Sequence, residues 1–325
     1  MKVLLTGASG FVGSHILDSL CSRGIQVVAP LRRNSDRSFL DATNPLMEVR
    51  EGGISDPDIL PSLLKGVTHV IHCAGATKAR KVKDFYTINQ MVTRHLVQAA
   101  NAQGNIARFL LISSLAAAGP GTPQKPARES DPPSPVSHYG RSKLAAEEEV
   151  RTLCRSPFTI IRPPAVYGPR DRGFLPLFAA VRKHLRPCPS ESQQLSLVHV
   201  KDLAEAAVHS LNHPAAVGKT YFAAGSEVVS SRKLAGMIAA EMKVWTIPLP
   251  LPTLAFWPIC LLKSIQTAIT GTPDILSLAK FPELQAPGWV CDPAQLTADL
   301  GIGCRTRLED GIRETIIWYE KHGWI

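Results

Sequence analysis

Two side chains four residues apart carry the most legible chemistry in this sequence. Tyr139 and Lys143 lie in Tyr139-Gly140-Arg141-Ser142-Lys143, at the start of a segment with helical period. A spacing of four puts both on one helical face. An ammonium beside a phenol stabilises the phenolate and lowers its pKa. Such a tyrosine exchanges a proton with an alcohol or carbonyl oxygen near neutral pH. The pattern arises by chance in many chains, so it needs company. Ser113 and Ser114 follow the apolar run Phe109 to Ile112, which reads as a strand. Doubly wound sheets gather their ligands at the carboxyl ends of their strands, and a hydroxyl there can hold the same substrate oxygen.

A second cluster lies near the N-terminus. Thr6-Gly7-Ala8-Ser9-Gly10-Phe11-Val12-Gly13 separates the strand Val3-Leu4-Leu5 from a helix with Val12, Ile16, Leu17 and Leu20 on one face. Glycines at 7, 10 and 13 let the turn close and let the backbone approach a pyrophosphate, which the helix N-terminus attracts. Gly7, Ser9, Gly10, Phe11, Val12 and Gly13 are therefore the candidate dinucleotide contacts. An ordinary tight turn needs fewer glycines. A NAD-binding chain usually places Asp or Glu about twenty residues further on, for the ribose hydroxyls. Here Ala29-Pro30-Leu31-Arg32-Arg33-Asn34-Ser35 offers no acid and two arginines. A guanidinium suits a 2′-phosphate, so Arg32 and Arg33 point to NADP, with NAD as the other candidate. The competing reading leaves both arginines merely solvated.

These clusters need a frame. Strands are predicted at Ile25–Ala29, Val67–Cys73 and Phe158–Arg162, and helices at Thr87–Ala102 and Ser142–Cys154. The alternation predicts an α/β fold, a right-handed doubly wound parallel sheet. Gly119 to Pro135, rich in Pro, Gly and Ser, reads as a long ordered loop of the kind that usually serves function. After Arg162 the alternation fades. Leu195 to Val200 reads as a strand, and Asp202 as the cap of a helix reaching Leu211. Thr306 and Glu309 form a capping-box pattern before a helix with Leu308, Ile312, Ile316 and Tyr319 on one face and Gly323 at its end.

Taken together, these motifs resemble the extended short-chain dehydrogenase/reductase family, also called the NAD-dependent epimerase/dehydratase family. The likeness spans essentially the whole chain. It rests on the loop at 6–13, His72-Cys73-Ala74-Gly75, Asn89, Leu111-Ile112-Ser113-Ser114, Tyr139 with Lys143, Arg162-Pro163-Pro164-Ala165-Val166-Tyr167-Gly168-Pro169, and Val198-His199-Val200-Lys201-Asp202. The resemblance implies a Rossmann domain over residues 1–164, to which 195–224 return. It implies a smaller substrate-binding domain from 165–194 and 225–325. Tyr139 would be the general acid/base, Lys143 would hold the nicotinamide ribose, and Ser114 rather than Ser113 would polarise the substrate. Hydride would pass between the nicotinamide and a substrate carbon. Ala74, Gly75, Ala76, Asn89, Pro164 and Val166 would line the cofactor, together with Ile54. One departure concerns the adenine end: Glu51-Gly52-Gly53-Ile54 has glycine where many relatives carry Asp.

The branch is read from the second half. Sugar-nucleotide enzymes usually carry a glycine-rich stretch with an arginine before the His-Val motif. Pro189-Ser190-Glu191-Ser192-Gln193-Gln194 has none. The downstream text, with Pro248-Leu249-Pro250-Leu251-Pro252, Ser277-Leu278-Ala279-Lys280 and Trp289-Val290-Cys291-Asp292, is similar to the branch of 3β-hydroxysteroid dehydrogenases and dihydroflavonol reductases. The expectation is a NAD(P)-dependent oxidoreductase acting on a carbonyl or alcohol of a mainly apolar small molecule. The alternatives are a nucleotide-sugar epimerase or dehydratase that recycles its NAD, and a non-catalytic cofactor-binding scaffold.

Composition bounds the rest. The 325 residues are 45% hydrophobic and 19% charged, which excludes a disordered chain. The net charge of +9 is spread along the chain, and only Lys78 to Lys83 is clustered, without interleaved aromatics. That argues against nucleic acid as a partner. Seven cysteines without a C-x-x-C fit reduced thiols in a cytoplasmic protein, and no secretory signal is read at the start. His69, His72 and Cys73 share one strand, with His72 on the opposite face from the other two, so no metal site is predicted. His138 is read as solvated or as a substrate contact. Val244 to Leu262 carries no charge and several prolines. It reads as a buried or lid-forming loop, or alternatively as a patch resting on a membrane surface. A homodimer is implied by the resemblance, through the helix bearing Tyr139.

Overall fold

The computed structural model describes residues 1–188, 193–250, 256–270 and 278–325. Strands follow one another as β1 (Lys2–Thr6), β2 (Gln26–Leu31), β3 (Met47–Glu51), β4 (His69–His72), β5 (Arg108–Ile112), β6 (Phe158–Arg162), β7 (Ala165–Tyr167), β8 (Leu185–Cys188), β9 (Gln194–His199), β10 (Lys219–Phe222), β11 (Val228–Ser230), β12 (Ile247–Pro250) and β13 (Gly288–Trp289). Seven of them form a parallel sheet in the order β10-β6-β5-β4-β1-β2-β3. Strand β1 lies between β4 and β2, so the winding reverses there and opens a crevice at the carboxyl ends.

Side chains alternate across the sheet. Val3 and Leu5 face one core with Ile16, Leu20, Ile71 and Leu203, whereas Leu4 faces the other with Leu63, Leu96 and Phe109. Both faces are covered by helices, which is why these strands read as continuous apolar runs. Each fully buried aliphatic side chain contributes roughly 1.5–3 kcal/mol.

The region 195–224 divides between two sheets. Strand β10 extends the main sheet beside β6, whereas β9 pairs with β7, β11 and β13 in a smaller one. Two local expectations are corrected. Asp202 lies inside the helix Val200–Ser210 and does not cap it; its carboxylate accepts from the Thr306 amide at 2.9 Å. The helix Leu308–Lys321 starts at the N-cap Arg307, and Glu227, distant in sequence, receives the Leu308 amide at 3.1 Å in place of the Thr306–Glu309 box. In both cases a tertiary partner satisfies the amide that a local cap would have taken.

The long loop is ordered, bridging Gly121 to Trp289 and Ala127 to Cys291. The segment 244–262 is not one buried loop. It contains β12 and the start of the helix Phe256–Thr270, and it exposes Trp245, Ile247, Trp257 and Leu262. Its residues 251–255 lie outside the described residues, as do 189–192 of the arginine-less stretch and Ser277. Among the described residues no helix is long and apolar enough to cross a membrane.

Candidate active site

The helix bearing Tyr139 and Lys143 begins one turn earlier than its composition suggested, at His138, and runs to Leu153. Ser137 caps it, its hydroxyl accepting from the Gly140 amide at 3.0 Å. Tyr139 and Lys143 thus occupy the first two turns. Gly140 has a steric reason to be glycine: a Cβ there would lie 2.2 Å from the Ala116 carbonyl oxygen. Its absence lets the helix seat on the short turn Leu115–Ala118, whose N-cap is Ser114.

That contact sets Tyr139 beside Ser114, whose hydroxyl favours the phenolate. Ser113 points elsewhere, donating to Glu147 at 2.5 Å, where Arg162 also binds Glu147 through two nitrogens at 2.8 and 2.7 Å. The two adjacent serines therefore have separate duties: one faces Tyr139, and the other joins a buried ion pair that ties the helix His138–Leu153 to β6.

Lys143 is buried and donates to the Ile112 carbonyl at 2.7 Å. Burial pulls its pKa down to about 8, against the opposing influence of Cys73 and Glu147. Tyr139 moves the other way from the sequence expectation. Burial pushes its phenol up to about 12, aided by Glu283 and Cys73 and opposed by the Ser114 hydrogen bond. The cause is desolvation of the phenolate, which disfavours the charged form more than the local hydrogen bond favours it.

The crevice beside this pair is built from the ends of β1 and β4. Gly7 adopts φ +74°, and a Cβ there would lie 2.9 Å from the Ala74 nitrogen. A Cβ on Gly13 would lie 2.0 Å from the Gly7 oxygen. The helix Phe11–Ser22 starts at Gly10 with no side-chain cap and no acid in its first turn. Its N-terminal amides are thus available to an anion, which fits the pyrophosphate of a dinucleotide.

A buried relay holds the opposite wall. Thr93 donates to the Asn89 carbonyl at 2.6 Å, so it accepts from His72 Nε2 at 3.0 Å. His72 Nδ1 must then accept from the Thr6 hydroxyl at 2.7 Å, and Thr6 accepts from the Ala74 amide at 3.1 Å. Burial holds His72 down at about 3, so the ring stays neutral as this order of protons requires. Asn89 does not open a helix. It sits in a π-helical turn, Tyr86–Met91, and clamps Ala76 through its amide at 2.7 Å and its carbonyl at 3.1 Å. Its side chain lies 3.0 Å from where a Cβ on Gly75 would be.

The remaining residues named from the sequence lie on several elements. Val166 lies on β7, half-buried against the main core, with Pro164 just before that strand. Arg32 and Arg33 are exposed beyond the end of β2, the Arg32 stem resting over Gly53. Neither guanidinium makes an ion pair among the described residues. Ile54 packs at the edge of the second core. His138 meets the Tyr86 hydroxyl at 3.3 Å.

Sequence reasoning gave no role to Lys280 and Glu283. The Lys280 ammonium stands 4.7 Å from the centre of the Tyr139 ring and 3.3 Å from Glu283. Glu283 accepts from the Ser137 hydroxyl at 2.5 Å. No local pattern links these residues to a helix some 140 positions earlier.

Comparison with known proteins follows the same lines. A model of the NAD dependent epimerase/dehydratase family matches residues 3–224. The ceramide reductase of Caulobacter vibrioides is 31% identical over 334 residues, covering 99% of this chain and 96% of that protein. The UDP-glucose 4-epimerase of Vibrio cholerae is 31% identical over 271 residues, covering 77% of this chain and 79% of that protein. Among solved structures, that of gox2253 superposes with a TM-score of 0.82 at 26% identity, covering 100% of this chain and 99% of that one.

Proposed function

The chain belongs to the NAD dependent epimerase/dehydratase family and is an oxidoreductase, and from that premise we propose that it reduces a ketone, or oxidises the matching alcohol, on a mainly apolar lipid-type substrate. The observation that carries the reading is the Ser114–Tyr139–Lys143 constellation at the mouth of a crevice shaped for a dinucleotide. Near full-length likeness to a ceramide reductase supports the substrate class, and so does the absence of an arginine at 189–194.

The bound nicotinamide dinucleotide supplies or accepts the hydride. Its pyrophosphate would rest on the amides of Phe11 to Gly13, with Ser9 beside them, and Lys143 would meet its ribose. The exposed Arg32 and Arg33 favour NADPH, because their guanidinia are free to meet a 2′-phosphate. Tyr139 holds the proton that a substrate carbonyl oxygen needs as it becomes an alcohol. The raised phenol pKa keeps that proton in place until the oxygen gains charge. Ser114 donates to the same oxygen and orients it.

A second reading, a nucleotide-sugar epimerase with recycled NAD, draws on the likeness to UDP-glucose 4-epimerase. One experiment separates them: denature freshly purified protein and identify what nucleotide is released. Little retained nucleotide, NADPH binding better than NADH, and NADPH consumption with hydrophobic ketones are expected. Stoichiometric NAD⁺ that does not exchange, together with tight binding of uridine diphosphate, would establish the epimerase instead.

A further inference from the structure

The ribbon formed by β8 and β12 presents a sheet face that is exposed among the described residues. The strands are parallel, with Ile247 opposite Leu185 and Leu249 opposite Pro187. Paired residues of parallel strands project to the same side, and period two places Ile247 with Leu249. Ile247 is 52% exposed, Leu185 40% and Leu249 37%. Trp245, two residues earlier, is 65% exposed and stacks at 4.2 Å on the ring of His184. The alternate residue Arg186 turns inward, its Nη1 3.5 Å from the Cβ position of Gly236 on the helix Ser231–Glu241. Leu185, Ile247 and Leu249 thus share an exposed apolar face, while Arg186 turns toward the helix.

The rim of this face is basic. Lys183 and Lys243 immediately precede its two halves, are exposed, and form no ion pair among the described residues. Residues 183–188 and 242–249 contain no acid. Among the described residues, Glu241 is engaged by Arg313 at 2.9 Å and Glu320 by Arg182 at 3.1 Å. The helix Phe256–Thr270 that follows adds the exposed Trp257 and Leu262.

We propose that this face docks on a bilayer surface that contains anionic lipid. A tryptophan and aliphatic side chains enter the headgroup boundary, and the lysines meet lipid phosphates. Two signals, apolar burial and charge, are what reversible membrane attachment needs. The proposal rests on surface chemistry alone and stands independently of the reaction catalysed.

The test is sedimentation of the full chain with vesicles of phosphatidylcholine, alone or mixed with phosphatidylglycerol. The protein is expected to bind the mixed vesicles, more weakly at high salt. The exposed double variant W245S/I247S should bind at least about tenfold more weakly. K183E/K243E should lose the preference for phosphatidylglycerol. Unchanged melting temperature and nucleotide binding confirm that each variant is folded. No binding to either vesicle, equal binding to both, or equal binding by W245S/I247S overturns the proposal. So does a concentration-dependent dimer that W245S/I247S lacks, since a second copy would then cover the face. No readout uses turnover, so failure of the reductase reading leaves this result standing, and the reverse also holds.

Discussion

At the scale of single residues, the site is governed by burial more than by pairing. Tyr139 and Lys143 are each pushed toward their neutral forms, the phenol to about 12 and the ammonium to about 8. Tyr139→Phe removes the transferable proton and leaves the crevice intact. Turnover should fall at least about a thousandfold, with nucleotide affinity, measured by titration, changed less than about twofold. Unchanged turnover would remove Tyr139 from the mechanism. For Lys143 the folded pKa lies below the unfolded value of 10.5. Below about pH 8 both states hold the proton, and its burial destabilises the fold in full. As pH rises from there, the unfolded chain binds more protons than the folded one, so stability increases. Relative to Lys143→Met, the wild type should gain about 2–3 kcal/mol between pH 7 and pH 10 in chemical denaturation. A flat difference would show that the lysine is not desolvated.

At the scale of elements, close backbone approach decides whether Tyr139 and Ser114 meet. Gly140 lets its helix touch the Ala116 carbonyl, and only that approach brings Tyr139 to Ser114. Gly140→Ala must push the helix off the turn. Turnover should fall about a hundredfold, because a displacement near 1 Å suffices for such a loss. Stability should fall by about 1–3 kcal/mol. Nucleotide binding should be retained, since the loop at 6–13 belongs to another element. Equal loss of nucleotide binding would show that the damage is global.

At the scale of the whole molecule, the C-terminal part reaches back over the site. Glu283 receives the Ser137 hydroxyl and pairs with Lys280, and its carbonyl accepts from the Trp289 ring nitrogen at 3.0 Å. This ties the segment around Lys280 to the start of the helix His138–Leu153. Glu283→Ala removes an anchor of about 1 kcal/mol. Local opening then becomes about fivefold more frequent, so trypsin should cut after Lys280 about fivefold faster while global melting changes little. An unchanged cleavage rate would mean that the segment is held elsewhere.

Much of this was written in local pattern. The apolar runs of β1, β5 and β6, the glycines at 7, 10 and 13, and the four-residue spacing of Tyr139 and Lys143 depend on neighbours in the chain. Period and steric need therefore reveal the doubly wound sheet, the glycine turn after β1 and the shared helical face of Tyr139 and Lys143. Tertiary structure alone decided the rest. It put Glu227 and Asp202 on amides assigned to local caps, and it turned Ser113 to Glu147 while Ser114 met Tyr139. It drove the Tyr139 phenol up where local charge predicted it down, brought Lys280 and Glu283 to the site, and left the outer face of β8 and β12 bare. Desolvation and contacts between distant segments depend on what packs around a group, and nothing adjacent in the sequence encodes that.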